Sequence, residues 1–317
     1  MTPRMLLAIA LVGFSLAVKA QFPSRPLRVV VPFPAGSATD TLSRVLANSV
    51  SQPLGQPVVV ENKAGADGAI AAAEVVKSAP DGYTLLMATN SPMSAVPAMK
   101  KSPPYDPLAD FTPITDIGRY TFFIVVHPEV PAKSLAELIG YARANPGRLN
   151  YATGNTSGIV STAYFASLAK IELVHVPYKG EPQALTDLVA GRVQLMFVSS
   201  GTSVPLLRDG KLRALVTTLA RRSALLPEVP TIAEAGMPQF SLTSWAGLFG
   251  PAKMPREVVG RLNREFVAAM GRAEVQAAMD KQGFALNPSS PEQLAQLVKE
   301  QLESYRRVLR AAGVEPD

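Results

Sequence analysis

Short runs of consecutive apolar, mostly β-branched residues recur along the chain. They alternate with longer stretches in which apolar residues return every three or four positions. Leu27–Val31, Val58–Val60, Thr84–Met87, Phe122–Val126, Val193–Val198 and Leu212–Leu219 are of the first kind, and unbroken apolar runs of that length suit strands buried on both faces. Asp40–Val50, Ala69–Ser78, Leu135–Asn145, Ser157–Ala169 and Pro182–Ala190 lie between them with helical spacing. Arg256–Met270 and Pro291–Ala312 continue that spacing through the C-terminal third. Strand followed by helix, repeated, predicts an α/β fold whose parallel sheets are covered by helices on both faces.

The domain division is less direct. A chain of 317 residues suggests about two domains. Pro-rich segments at Ser102–Pro113 and Leu226–Pro238 each precede a strand-like apolar run, Ile114–Val126 and Phe240–Phe249. Two long strands in those places would carry the chain into a second domain and back. One large sheet with Pro-rich surface loops accounts for the same pattern.

The N-terminus reads as an address. Arg4 precedes an apolar run from Leu6 to Val18, followed by Val18-Lys19-Ala20 and the polar Gln21, the order of a cleavable secretory signal. The run is well short of the ~20 residues that a bilayer-spanning helix needs. Cleavage near Ala20 would release an exported mature protein. Removing Arg4 and Lys19 from 31 basic residues leaves 29 against 25 acidic ones, a net +4. These charges are scattered, without the basic stripe that nucleic acid requires. With no cysteine and only His127 and His175, disulfides, thiolate catalysis and multi-histidine metal sites are excluded. No cofactor or metal is expected.

Candidate chemistry gathers where strands give way to helices, the ligand-binding edge of such sheets. Pro32–Asp40 follows the first strand; in it Gly36 permits close backbone approach, while Ser37, Thr39 and Asp40 are possible N-caps of a helix whose free amides favour an anion. Tyr151–Gly158 repeats this chemistry with Gly154, Asn155, Thr156 and Ser157. It is neither a GxxxxGK[ST] phosphate loop nor a G-x-S-x-G elbow. Tyr178 and Lys179 in His175–Glu181, and Thr89, Asn90 and Ser91 after a third strand, complete the candidates read from the residues alone. Hydrogen bonds to a charged group contribute roughly 1.5–3 kcal/mol each, and micromolar affinity needs about 8 kcal/mol, so amides and hydroxyls from two loops suffice without an arginine clamp. Neither histidine sits in a nucleophile–base motif.

The chain resembles the periplasmic solute receptors of tripartite tricarboxylate transporters, the Bug receptors. The resemblance is carried by Pro26–Gly36, Glu61–Gly68, Ala79–Leu85, Tyr105–Phe111, His175–Gly180, Gly210–Leu215 and Leu226–Gly236, in order along the mature chain. It implies a periplasmic-binding-protein-like fold of type II, the Venus flytrap, with two α/β lobes joined by two crossing strands. Residues 21–120 with 240–317 would form one lobe and 121–239 the other. A small carboxylate would be held by Phe33–Asp40, Ala35 and Gly36 included, and by Gly154–Ser157. Thr89–Ser91, Tyr178, Lys179, Ser199 and Ser200 would shape the rest. The implied partners are a small organic acid and the membrane permease subunits, with the receptor acting as a monomer. Departures from the family pattern stand at Ser37, where a second glycine is common, at Ile159, where a histidine is common, and at Val198, where an aspartate is usual. The last two imply a less polar second wall, and a ligand with one carboxylate on an apolar or aromatic body. Rival functions for the same sequence are a sensory binding protein and a secreted hydrolase of small esters or amides using Ser157 or His175.

Overall fold

The structure is a computed structural model describing residues 22–219, 221–240, 242, 244–311 and 316; the expected export signal at residues 1–20 lies outside them. Leu27, Val29, Val30 and Val31 are all at most 1% exposed, which is why this run forms strand β1 (Leu27–Val31) in the interior of a sheet. It leads into α1 (Ala38–Leu54), then β2 (Val58–Asn62), α2 (Ala69–Val76) and β3 (Thr84–Thr89). A π-helical turn at Ser91–Ala95, α3 (Val96–Met99) and β4 (Phe111–Tyr120) follow. The chain then crosses into β5 (Phe122–Val126), α4 (Leu135–Ala144), β6 (Asn150–Thr153), α5 (Thr156–Ala169) and β7 (Val174–Pro177). Next come α6 (Glu181–Val189), β8 (Leu195–Ser199), α7 (Ser200–Arg208) and β9 (Arg213–Thr217). It returns as β10 (Trp245–Pro251), α8 (Arg256–Met270), α9 (Ala273–Gln282), β11 (Phe284–Leu286) and α10 (Pro291–Ala311).

Two sheets result, one per lobe: β11-β4-β10-β3-β1-β2 and β7-β6-β8-β5-β9. Neither is wholly parallel, contrary to the sequence expectation. β10 runs antiparallel to β3 and β4, and β5 antiparallel to β8 and β9. The reason is connectivity: strands that arrive from the other lobe are not made by a strand–helix–strand crossover, so nothing forces them parallel. The run Ile114–Val126 is broken at Thr121 into β4 and β5. The second apolar run begins pairing only at Trp245, because Phe240 and Leu242 pack into the core of the second lobe beside Phe197 and Phe165.

The two crossings lie against each other. Tyr120 donates its amide to Ser244 O at 3.0 Å, Thr218 to Phe122 O at 2.9 Å, and Ser200 to Thr121 O at 2.8 Å. Helix α10 straddles the lobes. Leu294 and Val298 pack under Trp245 and Phe249 in the first, whereas Leu302, Tyr305, Val308 and Leu309 join Val160 and Phe165 of the second. No helix among the described residues is long and apolar enough to cross a membrane.

Candidate functional site

Between the lobes lies a cleft of about 610 Å³, part of it open to solvent. The first lobe contributes Phe33, Pro34, Ser37, Ala38 and Thr39 from the β1–α1 connection, and Thr89, Asn90 and Ser91 from the end of β3. Gly154, Asn155 and Ser157 at the start of α5, then Gly180, Glu181 and Pro182 at the start of α6, face them from the second lobe. Ser199 and Thr202 at the start of α7 complete that wall, and Tyr120, Phe122 and Ser244 on the crossing segments close the floor. The first turns of α1, α5, α6 and α7 therefore converge on one space. The amides of a first helical turn have no intrahelical acceptor, and the helix dipole places partial positive charge there. Among the described residues no lysine, arginine or histidine lines the cleft. Its attraction for an anion comes from backbone and hydroxyl dipoles.

The caps show how the sequence builds these helix starts. Ser37 accepts from the Asp40 amide at 3.2 Å, and Asn155 Oδ1 from the Gly158 amide at 2.9 Å; each removes one of the orphan donors and leaves others. Gly36 has φ +80°, a conformation in which glycine carries no Cβ penalty. Its amide donates to Asp40 Oδ2 at 3.0 Å. Asp40 also accepts from Arg44 Nε at 3.0 and 3.1 Å and from Asn62 Nδ2 at 2.9 Å, so it shapes the loop from behind. Burial pushes this carboxyl up, but the Arg44 guanidinium, the Gly36 amide and the Asn62 amide outweigh it, and the balance is downward. A depressed carboxyl adds stability above its unfolded pKa of about 4 and loses it as pH falls through the lower folded value. Asp40→Asn is expected to cost about 1.5–3 kcal/mol at neutral pH. The gap from the parent protein should close in acid below about pH 4, as read by urea unfolding at each pH.

The lobes touch across the cleft. Asn90 Nδ2 donates to Ser157 Oγ at 2.8 Å and to Tyr305 OH at 2.6 Å, and Ser91 Oγ lies 2.8 Å from Ser157 Oγ. Thr156 donates its hydroxyl to Asp67, which sits in the β2–α2 turn at φ +54°. These bonds join β-sheet ends of opposite lobes, and the conformation is closed.

Of the residues singled out in the sequence, Phe33, Ser37, Thr39, Thr89, Asn90, Ser91, Gly154, Asn155, Ser157 and Ser199 line the cleft. Ala35 and Gly36 are exposed outside it, and Asp40 and Thr156 stand behind it. Tyr178 turns away to donate to Asp187 at 2.8 Å, Lys179 is exposed, and Ser200 donates to Gln282 O at 2.6 Å. Strand alternation sets the difference at β8: Ser199 faces the cleft, whereas Val198 is fully buried with Phe123 and Val125 in the second lobe's core. The departure at Val198 therefore does not touch the cleft wall, and Ile159 does not line it either. Ser157 and His175 are not a nucleophile–base pair, since His175 Nε2 bonds Thr153 Oγ1 at 2.7 Å.

Pro34, Tyr120, Phe122, Glu181, Pro182, Thr202 and Ser244 line the cleft without having been singled out. Tyr120 OH bonds Thr39 Oγ1 at 2.8 Å, and burial pushes the phenol far up. Behind Phe122, Ser157 and Ser244 an adjoining crevice of only about 10 Å³ is lined by Phe197, Phe240 and Leu242.

Two α/β lobes, hinged at paired crossings and closed over a cleft of helix starts, are the construction of a solute-binding receptor. The sequence matches the family described as tripartite tricarboxylate transporter family receptor over residues 42–314. The chain belongs to that family, as the Bug-type resemblance implied. It is 33% identical to Protein BugT of Bordetella pertussis over 309 residues, covering 96% of this chain and 95% of that one. In structure it is similar to Rpa4515 of R. palustris with adipate, at TM-score 0.89 and 35% identity, covering 93% of this chain and 100% of the other. It is also similar to MatC of Rhodopseudomonas palustris with bound malate, at TM-score 0.85 and 33% identity, covering 91% and 100%.

Proposed function

We propose that this receptor works in the periplasm as a monomer, captures a small organic acid bearing one carboxylate on an apolar body, and delivers it to the membrane permease of a tripartite transporter. The observation that carries this reading is the convergence of helix starts from both lobes on a cleft without cationic side chains. A carboxylate placed there gathers amides and hydroxyls from both lobes at once, so it stabilises the closed form over the open one. Phe33, Pro34, Phe122 and Pro182 supply the apolar surface for the rest of the ligand. The relatives solved with adipate and malate support a carboxylate ligand. We read the site as binding without turnover: Ser91 and Ser157 are tied to each other and Ser157 to the Asn90 amide, and His175 is bonded to Thr153 instead of to a cleft hydroxyl.

Protein beginning at Gln21, unfolded and refolded to strip copurified ligand, is to be melted with a panel of organic acids. A ligand present at a thousand times its Kd adds about 4 kcal/mol of stability. The expected result is a clear upward shift for monocarboxylic acids with an apolar body, and unchanged acid on recovery. Equal shifts for compact dicarboxylates overturn the one-carboxylate form. A flat response to every acid overturns the receptor's ligand class.

A further inference from the structure

Apart from the Tyr120 phenol, one ionisable side chain lines the cleft among the described residues: Glu181, the first residue of α6. Its Oε1 accepts from Ser199 Oγ at 2.5 Å and from the Thr202 hydroxyl, and its Oε2 accepts from the Ser199 amide at 3.3 Å. Position at a helix start favours the ionised form. Among the described residues no basic side chain pairs with Glu181, and none lines the space it faces. A carboxylate offers roughly four acceptor positions, and the protein fills three of them.

A plain carboxylic acid in this cleft brings a second negative charge beside the first, with no cation to separate them. The positive charge that would balance Glu181 has to arrive with the ligand. We infer that the ligand is an amino carboxylate: its carboxylate lies at the helix starts, and a protonated nitrogen donates to the open position of Glu181. This rests on the proposed capture of a carboxylate and names the second end of the molecule. Burial pushes the Glu181 carboxyl up by more than Ser199 and Thr202 pull it down, so without a cation the balance is upward. A cation within hydrogen-bond distance adds to the second effect and completes a paired, hydrogen-bonded charge of the kind that tolerates burial. Ser199 and Thr202 then act as positioning residues, holding the carboxylate toward the cleft.

The test is isothermal titration at neutral pH with matched triplets of increasing length, each an alkanoate, its dicarboxylate and its ω-amino acid. Hexanoate, adipate and 6-aminohexanoate form one such triplet; 4-methylbenzoate, terephthalate and 4-(aminomethyl)benzoate form an aromatic one. The expected result is that, in every triplet that binds, the amino acid binds at least about tenfold tighter than its partners, a difference of about 1.4 kcal/mol. Glu181→Gln should erase that preference while plain acids bind as well or better. Equal or tighter binding of the alkanoate or dicarboxylate by the parent protein overturns the inference and leaves the carboxylate receptor standing. This comparison needs no variant, so a poorly folded Glu181→Gln protein does not weaken it. Absence of binding by every member of every triplet overturns the carboxylate reading itself.

Discussion

Replacing Gly154 by alanine is expected to lower ligand affinity at least about a hundredfold, about 2.7 kcal/mol, and to destabilise the second lobe. A Cβ at this position would lie 2.4 Å from the Glu181 amide nitrogen, 2.6 Å from Gly180 C and 2.8 Å from Glu181 Cα. These are backbone atoms, with no rotamer by which to withdraw, so α6 as a whole has to move off the end of β6. Overpacking of this kind costs about 1–3 kcal/mol. It also displaces Glu181 and Pro182 from the cleft wall, which is why binding suffers more than folding. Gly36→Ala is the contrasting variant. Gly36 is the more conspicuous loop glycine in the sequence, yet nothing lies within 4 Å of a Cβ there. Its cost is the left-handed backbone alone, about 1–2 kcal/mol, and affinity should fall by less than about tenfold. Titration calorimetry and thermal melting of both variants check the ranking. A Gly154→Ala protein that binds normally would show that α6 can shift without disturbing the ligand.

That contrast shows where the sequence was legible. The ends of buried strands stand out because consecutive β-branched residues have few other homes, so the segments Phe33–Asp40, Thr89–Ser91 and Gly154–Ser157 are legible as strand ends, although Ala35, Gly36, Asp40 and Thr156 within them do not line the cleft. Parallel and antiparallel pairing was not legible, because it depends on which lobe a strand comes from. Nor was the start of β10: Phe240 and Leu242 are as apolar as a strand requires, but they fill the second lobe's core. Helix α9 escaped notice because only Val275 and Met279 of its ten residues are buried. Glu181 carries no local signal of a cleft position, since an acidic residue at a helix start ordinarily serves the dipole in solvent, and the neighbouring Tyr178 and Lys179 are chemically more conspicuous. The available signal was its position: it opens the helix after β7, as Thr156 and Ser200 open those after β6 and β8. Tyr120 and Phe122 stand on the crossing between lobes, and no local pattern shows that a crossing is also the floor of a cleft.

Asn90→Ala should produce the other large effect, divided between stability and closure. Asn90 is 4% exposed and Tyr305 fully buried, and the amide joins the end of β3 to Ser157 on α5 and to Tyr305 on α10. Truncation leaves the Tyr305 hydroxyl without this partner in a place water does not reach, and unmet buried groups cost about 1–3 kcal/mol each. A total of about 3 kcal/mol corresponds to a fall in Tm of roughly 6–12 °C, at 2–4 °C per kcal/mol for domains of about 150–250 residues. The Asn90–Ser157 bond additionally spans the lobes, so it exists only while they are closed. Its loss removes about 1 kcal/mol from the closed form, raises Kd by about fivefold to tenfold, and acts mainly by hastening release. Tyr305→Phe separates the two roles. It deletes the buried hydroxyl but leaves Asn90 and Ser157 paired across the cleft, so it should lower Tm while raising Kd and the dissociation rate less than Asn90→Ala does. Melting curves and stopped-flow release on both variants decide the matter. If Asn90→Ala melts early but releases ligand at the parental rate, closure does not draw on this bond, and the aromatic floor and the Thr156–Asp67 contact hold the lobes together.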